Sequence, residues 1–157
     1  MDNVRFLENK FKKEIEQHIS KALPSLTKYF KFRPSTNEED SNLSFDLVFN
    51  LDFTISVRIR KNKYLKYKDL TIRSKSKNNG KIEIDKIMEG KAQVYFYAYM
   101  NECEDRLIKV FMADVEAIRK LTFVKDYKHK KNNDNTEFFT YNFKDIKWMN
   151  GNLYEYN

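Results

Sequence analysis

Residues 53–60, FTISVRIR, decide how the middle of the chain folds. Apolar and polar side chains alternate along this stretch, which is the pattern of a β-strand with one apolar face. The run LSFDLVF at residues 43–49 precedes it across the turn NLD, so the two runs together predict a β-hairpin. The polar face of the second strand carries Arg58 and Arg60 side by side, whereas its apolar face carries Phe53, Ile55, Val57 and Ile59.

Helices and further strands are predicted on both sides of this hairpin. Apolar residues recur at helical spacing over residues 3–23, with Asp2 as the candidate N-cap and Pro24 ending the run. Gly90 closes a short helix in KIEIDKIMEGK (81–91), and Asp114 caps a third helix, VEAIRKL (115–121). Strands are predicted in DLTIRS (69–74), AQVYFYAYM (92–100), RLIKVFMA (106–113) and EFFTYNFKDIKW (137–148), with KNKYLKYK (61–68) as a linker and KDYKHKKNNDNT (125–136) as a loop.

Composition limits the classes of protein to which the chain can belong. Its 157 residues, 41% of them hydrophobic, predict one domain with a real core. Three scattered glycines exclude a P-loop or a dinucleotide-binding turn. One cysteine and two histidines provide neither a disulfide nor a structural zinc site, which favours the cytoplasm. With no apolar run of about 20 residues and no signal-peptide pattern, we expect no membrane association.

Positive charge is concentrated in residues 58–81. The segment has a net charge of +9, whereas the whole chain carries +7, so the remainder is net negative. Such a segment suits a polyanion, because phosphates neutralised by lysine release counterions. The alternative is a solvated basic hairpin, since 23 Lys against 7 Arg and 16 Asn also indicate an AT-rich genome. The candidate nucleic-acid-binding residues outside the hairpin arginines are Lys61, Lys63, Lys66, Lys68, Arg73, Lys75, Lys77 and Lys81.

The order of elements, helix, three strands, helix and strand, resembles the core of the PD-(D/E)xK nuclease superfamily over about residues 3–99. The runs FDLVF, ISVRIRK, KDLTIRS and EIDKIMEG before an aromatic strand are similar to phage-type proteins of that superfamily. The resemblance implies an α/β (α+β) fold with a central mixed sheet flanked by helices. Residues 1–99 then form a restriction-endonuclease-like α-β-β-β-α-β core, and residues 100–157 form a strand-helix-strand extension of the same domain.

The same resemblance implies a Mg²⁺ or Mn²⁺ site on the sheet. In this superfamily two carboxylates hold the cation and a basic residue nearby positions the attacking water. Asp46 matches the first carboxylate, and Arg58 or Arg60 matches the basic residue and would steady the scissile phosphate. A salt bridge from Asp46 to Arg58 or Arg73 is the alternative, because an unpaired charge in an apolar strand is costly.

The second carboxylate departs from the pattern, because Ser56 or Arg58 stands where an acid is expected. Glu83 is the candidate replacement on the short helix, ahead of Glu89, while Asp52 is a weaker candidate at the hairpin turn. A further acid, Glu14, is expected to face the site from the first helix. The structural alternatives are that Glu83 complements the helix dipole and that Glu14 is a solvent-facing acid.

These features predict a DNA-binding, Mg²⁺-dependent phosphodiester hydrolase, an endonuclease or a resolvase-like enzyme, encoded by a phage or mobile element. The alternative is a catalytically inactive protein of the same fold that binds nucleic acid or a host protein; a third is a plain interaction module. DNA is favoured over RNA as the partner, and a homodimer stays open. Two other chemistries are weaker: a Cys103–His129 dyad is disfavoured by the acidic turn NECED, and VYFYAYM is a core strand more readily than a base-stacking surface.

Overall fold

The computed structural model describes seven segments of the chain. The described residues are 3–23, 33–34, 36, 47–48, 54–75, 82–133 and 135–146. The helices are α1 (Asn3–Ala22), α2 (Glu83–Met88) and α3 (Val115–Phe123), and a 3₁₀ helix spans Asn62–Tyr67. The strands are β1 (Arg33–Pro34), β2 (Leu47–Val48), β3 (Thr54–Lys61), β4 (Asp69–Lys75), β5 (Val94–Met100), β6 (Leu107–Asp114), β7 (Lys128–Lys131) and β8 (Glu137–Asn142).

A mixed sheet of order β1-β2-β3-β5-β6 forms the centre of the described part of the chain. Antiparallel pairing of β2 with β3, Leu47 opposite Ile55, confirms the predicted hairpin. β3 and β5 run parallel, with Arg58 beside Tyr97, and β5 and β6 are antiparallel. Every residue of β5 is buried, so the prediction of a central aromatic strand is confirmed. Its tyrosines belong to the core and do not form an exposed stacking surface.

The two faces of the central sheet are covered by different layers. On one face, α1 packs Phe11, Ile15 and Ile19 against Ile55, Val57 and the alternate residues of β5 and β6. On the other face, Tyr95, Tyr97 and Tyr99 pack against α2, α3, β4 and β8. Because side chains alternate across a strand, Arg58 and Arg60 project from β3 into this second, tyrosine-lined layer. The polar face predicted for β3 is therefore largely covered.

The third predicted strand, DLTIRS, forms as β4 but leaves the central sheet. β4 pairs antiparallel with β8, and β8 pairs with β7, to make a second sheet of order β4-β8-β7. The prediction that 125–136 is a loop was wrong, because Lys128–Lys131 form β7. The linker 61–68 contains a 3₁₀ helix, and Lys68 then turns the chain into β4 with a left-handed φ of 48°.

Both helix-end predictions that lie in the described residues are confirmed. Asp114 Oδ1 accepts a hydrogen bond of 2.8 Å from the backbone N–H of Glu116, which satisfies a free donor at the start of α3. Gly90 follows α2 with a φ of +68°, a conformation that favours glycine because it has no Cβ. The fold is thus α+β, with two small and mostly antiparallel sheets. In the described part of the chain, no helix combines the length and apolar character needed to cross a bilayer.

Candidate nucleic-acid interface

Glu83 lies at the start of α2 and accepts hydrogen bonds from three groups. Its Oε2 lies 2.5 Å from Arg58 Nη1 and 2.8 Å from the backbone nitrogen of Arg73. Its Oε1 accepts a short hydrogen bond from the hydroxyl of Tyr95. These donors come from β3, β4 and β5, so one carboxylate ties α2 to both sheets. Arg58 and Glu83, which the sequence analysis assigns to one candidate site, are in direct contact.

The electrostatics of this contact are those of a largely buried ion pair. Both side chains are 21% exposed. Burial alone would raise the pKa of the Glu83 carboxyl, but the charge of Arg58 and the donors on Arg73 and Tyr95 outweigh it and hold that pKa below its usual value. Burial likewise opposes the charge on Arg58, but Glu83 raises the Arg58 pKa above its usual value. Both groups are therefore charged at neutral pH.

Arg60 lies two residues after Arg58 on the same face of β3 and makes a different set of contacts. Its Nη1 donates to Thr71 Oγ1 at 2.8 Å and to the Tyr97 hydroxyl at 2.9 Å, and its guanidinium carbon lies 4.3 Å from the centroid of the Tyr64 ring. These partners are neutral and fix the guanidinium plane between β4 and the 3₁₀ helix. Arg60 is thus held in place by hydrogen bonds and a cation–π contact.

Of the residues predicted to bind the metal ion, Glu83 lies in the described part of the chain. Asp46, the first candidate ligand, and Asp52 lie outside the described residues. Within the described ranges no three His, Cys, Asp or Glu side chains converge in a way that would hold a metal ion. Three of the roughly four lone-pair sites of the Glu83 carboxylate accept hydrogen bonds, and the Arg58 charge repels a cation there.

Glu14 does not face this contact, which corrects the expectation from the sequence. Its Oε2 accepts a hydrogen bond of 2.7 Å from the backbone N–H of Leu107, at the start of β6. α1 covers the opposite face of the central sheet from Arg58 and Glu83. The carboxylate of Glu14 satisfies a backbone donor, and the sheet separates it from the candidate site.

The predicted nucleic-acid-binding residues fall into two groups in the described part of the chain. Two of them form ion pairs with acids: Lys61 Nζ lies 2.6 Å from Glu104 Oε1, and Lys75 Nζ lies 3.3 Å from Glu137 Oε1. The hydrogen bond with Glu104 raises the pKa of Lys61 and lowers that of Glu104. The second group consists of Lys63, Lys66, Lys68 and Arg73, which are exposed to solvent, as are Lys61 and Lys75. Lys77 and Lys81 lie outside the described residues.

β7 adds cations to this surface that the sequence analysis missed. All four of its residues, KHKK, are exposed. Lys130 reaches back to the 3₁₀ helix: its Nζ lies 3.0 Å from Asp69 Oδ2 and 5.6 Å from the centroid of the Tyr67 ring. Lys128 lies on the same side of β7, since residues two apart share a face. The overlooked signal is the polar turn at residues 132–136, NNDNT, which separates KHKK from a predicted strand as in a hairpin.

We call the resulting cluster the basic surface. It comprises the exposed residues Lys63, Lys66, Tyr67 and Lys68 of the 3₁₀ helix and its C-cap, with Lys128 and Lys130 of β7. Residues 61–68 hold four lysines and residues 128–131 hold three, with no acid in either segment. Positive charge from segments about 60 residues apart in sequence is therefore combined on one side of the second sheet.

Comparisons with known proteins did not assign the chain to a family. A scan against protein-family models gave no match for the chain, and a search of curated proteins gave none either.

Proposed function

We propose that the protein binds nucleic acid through the basic surface. The observation that carries the proposal is the convergence of lysines from the 3₁₀ helix and from β7 around the exposed ring of Tyr67. Exposed ammonium groups on flexible stems neutralise phosphates without reading base sequence. Binding of this kind depends strongly on salt, because each phosphate contact releases condensed counterions.

Hydrolysis of the bound strand is the second candidate function. It is favoured by the contact of Arg58 with Glu83, two residues that the resemblance to PD-(D/E)xK nucleases assigns to one site. It requires Asp46 as a ligand for Mg²⁺ or Mn²⁺. We place binding first, because the oxygens of Glu83 already accept three hydrogen bonds and its nearest charged neighbour is a guanidinium. A protein of this fold that binds nucleic acid without cleaving it would account both for the contact between Arg58 and Glu83 and for the three hydrogen bonds that Glu83 accepts.

A single set of assays separates binding from cleavage. We expect wild-type protein to shift a fluorescein-labelled oligonucleotide in EDTA at low salt, because lysine–phosphate contacts need no metal. Supercoiled plasmid incubated with Mg²⁺ or Mn²⁺ should stay uncut by wild-type protein. Absence of binding at low salt would reject the proposed function.

The Asp46→Ala variant tests whether hydrolysis, the second candidate function, occurs at the predicted metal site. If wild-type protein nicks the plasmid with Mn²⁺ and Asp46→Ala does not, hydrolysis is a function of the chain in addition to binding. Glu102→Gln is the matched control, since it also removes one carboxylate but lies in the exposed turn before β6. We expect this control to bind and to react as wild-type protein does.

A further inference from the structure

Tyr67 is an exposed aromatic residue in a layer whose other tyrosines are largely buried. It is 55% exposed, whereas Tyr95, Tyr97 and Tyr99 of β5 are 0–1% exposed. Burial of an aromatic ring stabilises a fold, so a ring left in solvent contributes little to the core. Tyr67 ends the 3₁₀ helix, two residues before β4 begins at Asp69.

Two ammonium groups from different elements lie over the Tyr67 ring in cation–π contacts. Lys66 Nζ is 5.2 Å from the ring centroid and Lys130 Nζ is 5.6 Å from it. Asp69, with a side chain only 13% exposed, holds Lys130 in this place through an ion pair of 3.0 Å. The arrangement combines an aromatic platform with a positive charge from each of two segments.

This combination matches what a single nucleic-acid strand requires. An unpaired base can stack on an aromatic ring, while lysines beside the ring contact the flanking phosphates. In a duplex the base faces are stacked on one another and are closed to such a ring, so a duplex can use the lysines alone. Both lysines are exposed. Lys130 stays paired with Asp69, whereas the ammonium group of Lys66 can turn away from the ring on its long stem and contact a phosphate when a base stacks there.

We infer that Tyr67 is a base-stacking residue and that the basic surface prefers single-stranded over double-stranded nucleic acid. The inference rests on the proposed function and adds the class of ligand to it. Stacking on one ring accepts any base, so it gives a preference for strand state with little preference for sequence. The 2′-hydroxyl plays no part in stacking, so DNA and RNA strands both satisfy the chemistry.

The test compares polyanions with unpaired bases, with paired bases and with no bases. Fluorescence anisotropy is measured with the full chain and four polyanions: a dT15 strand, a U15 strand, a 15-base-pair DNA duplex and labelled heparin. Wild-type protein should bind the single strands more tightly than the duplex. Tyr67→Leu should weaken single-strand binding about tenfold and leave duplex and heparin binding unchanged. Tyr67→Phe should bind as wild-type protein does, because it keeps the ring.

Phe123→Leu is the matched control, because Phe123 is 83% exposed on α3, outside the basic surface. This variant should bind all four ligands as wild-type protein does. Equal loss of single-strand, duplex and heparin binding in Tyr67→Leu, or no loss at all, would overturn the stacking role while leaving lysine-mediated binding in place. Failure of wild-type protein to bind any of the four ligands would overturn the proposed function itself. The ratio of dT15 to U15 affinity identifies which strand is preferred.

Discussion

Replacement of Glu83 by glutamine is expected to lower the free energy of unfolding by about 3 kcal/mol, the lower end of the range for breaking a buried ion pair. The amide keeps the size of the side chain but removes the charge that faces Arg58 at 2.5 Å. Its N–H₂ group replaces one of the two oxygens, so it faces either the donors on Arg58 and Arg73 or the hydroxyl of Tyr95, and that side loses its acceptor. Urea unfolding followed by circular dichroism measures the change.

Removal of the Arg58 charge as well should recover part of the lost free energy of unfolding. In the Glu83→Gln background, Arg58→Met replaces an uncompensated guanidinium with an unbranched apolar side chain. The exposed Glu102→Gln variant controls for the loss of one carboxylate and should change stability by less than about 0.5 kcal/mol. Equal stability of wild-type protein and Glu83→Gln would show that Glu83 does not hold the layers together, and its carboxylate would then suit a catalytic role better.

The contribution of Glu83 should depend on pH in a direction set by its lowered pKa. A carboxyl whose pKa is lower in the folded than in the unfolded chain stabilises the fold above its ordinary pKa of 4.5. That contribution is lost as the pH falls below 4.5 and through the folded-state value. Wild-type protein and Glu83→Gln should therefore differ most near neutral pH and converge in acid. A difference that grows in acid would contradict the ion-pair account.

Reversal of three charges on the basic surface is expected to weaken nucleic-acid binding about a hundredfold at moderate salt. The variant carries Lys66→Glu, Lys68→Glu and Lys128→Glu, and it leaves Lys130 in place because that lysine pairs with Asp69. Each lost phosphate contact should reduce the slope of log K against log salt by about 0.9, so the slope should fall by about 3. Anisotropy titrations at several salt concentrations measure both quantities.

A second triple variant separates local from overall charge. Lys10→Glu, Lys13→Glu and Lys21→Glu change the net charge by the same amount, but these exposed lysines lie on α1, which covers the other face of the central sheet. We expect this variant to retain most of the affinity and the salt slope of wild-type protein. An equal loss in both triple variants would indicate a diffuse attraction without a defined surface.

The fold was predictable from sequence where the local pattern is strong. The alternation in FTISVRIR, the aromatic run in β5, the cap at Asp114 and the short α2 before Gly90 all appear in the structure at or near the predicted residues. Each of these signals is local, since it depends on residues a few positions apart. The family resemblance assigned Arg58 and Glu83 to one metal site, but it did not indicate that the two would pair with each other.

What the sequence did not indicate depends on partners distant along the chain. The pattern of DLTIRS shows which residues of β4 are apolar, but pairing with β8, about 70 residues later, takes it out of the central sheet. KHKK contains no apolar residue, so the alternation that reveals a half-buried strand is absent from β7. Tyr67 looked like part of a linker, because its place beside Lys130 arises only when β7 joins the second sheet.

Amide hydrogen exchange with and without a saturating single strand tests the central claim most directly, because it locates the contact on the full chain. We expect slower exchange in the 3₁₀ helix at Asn62–Tyr67 and in β7 at Lys128–Lys131, since a bound strand would cover both segments. Exchange in α1, on the far face of the central sheet, should not change. Protection confined to α1, or no protection in either segment of the basic surface while the strand is bound, would contradict the account.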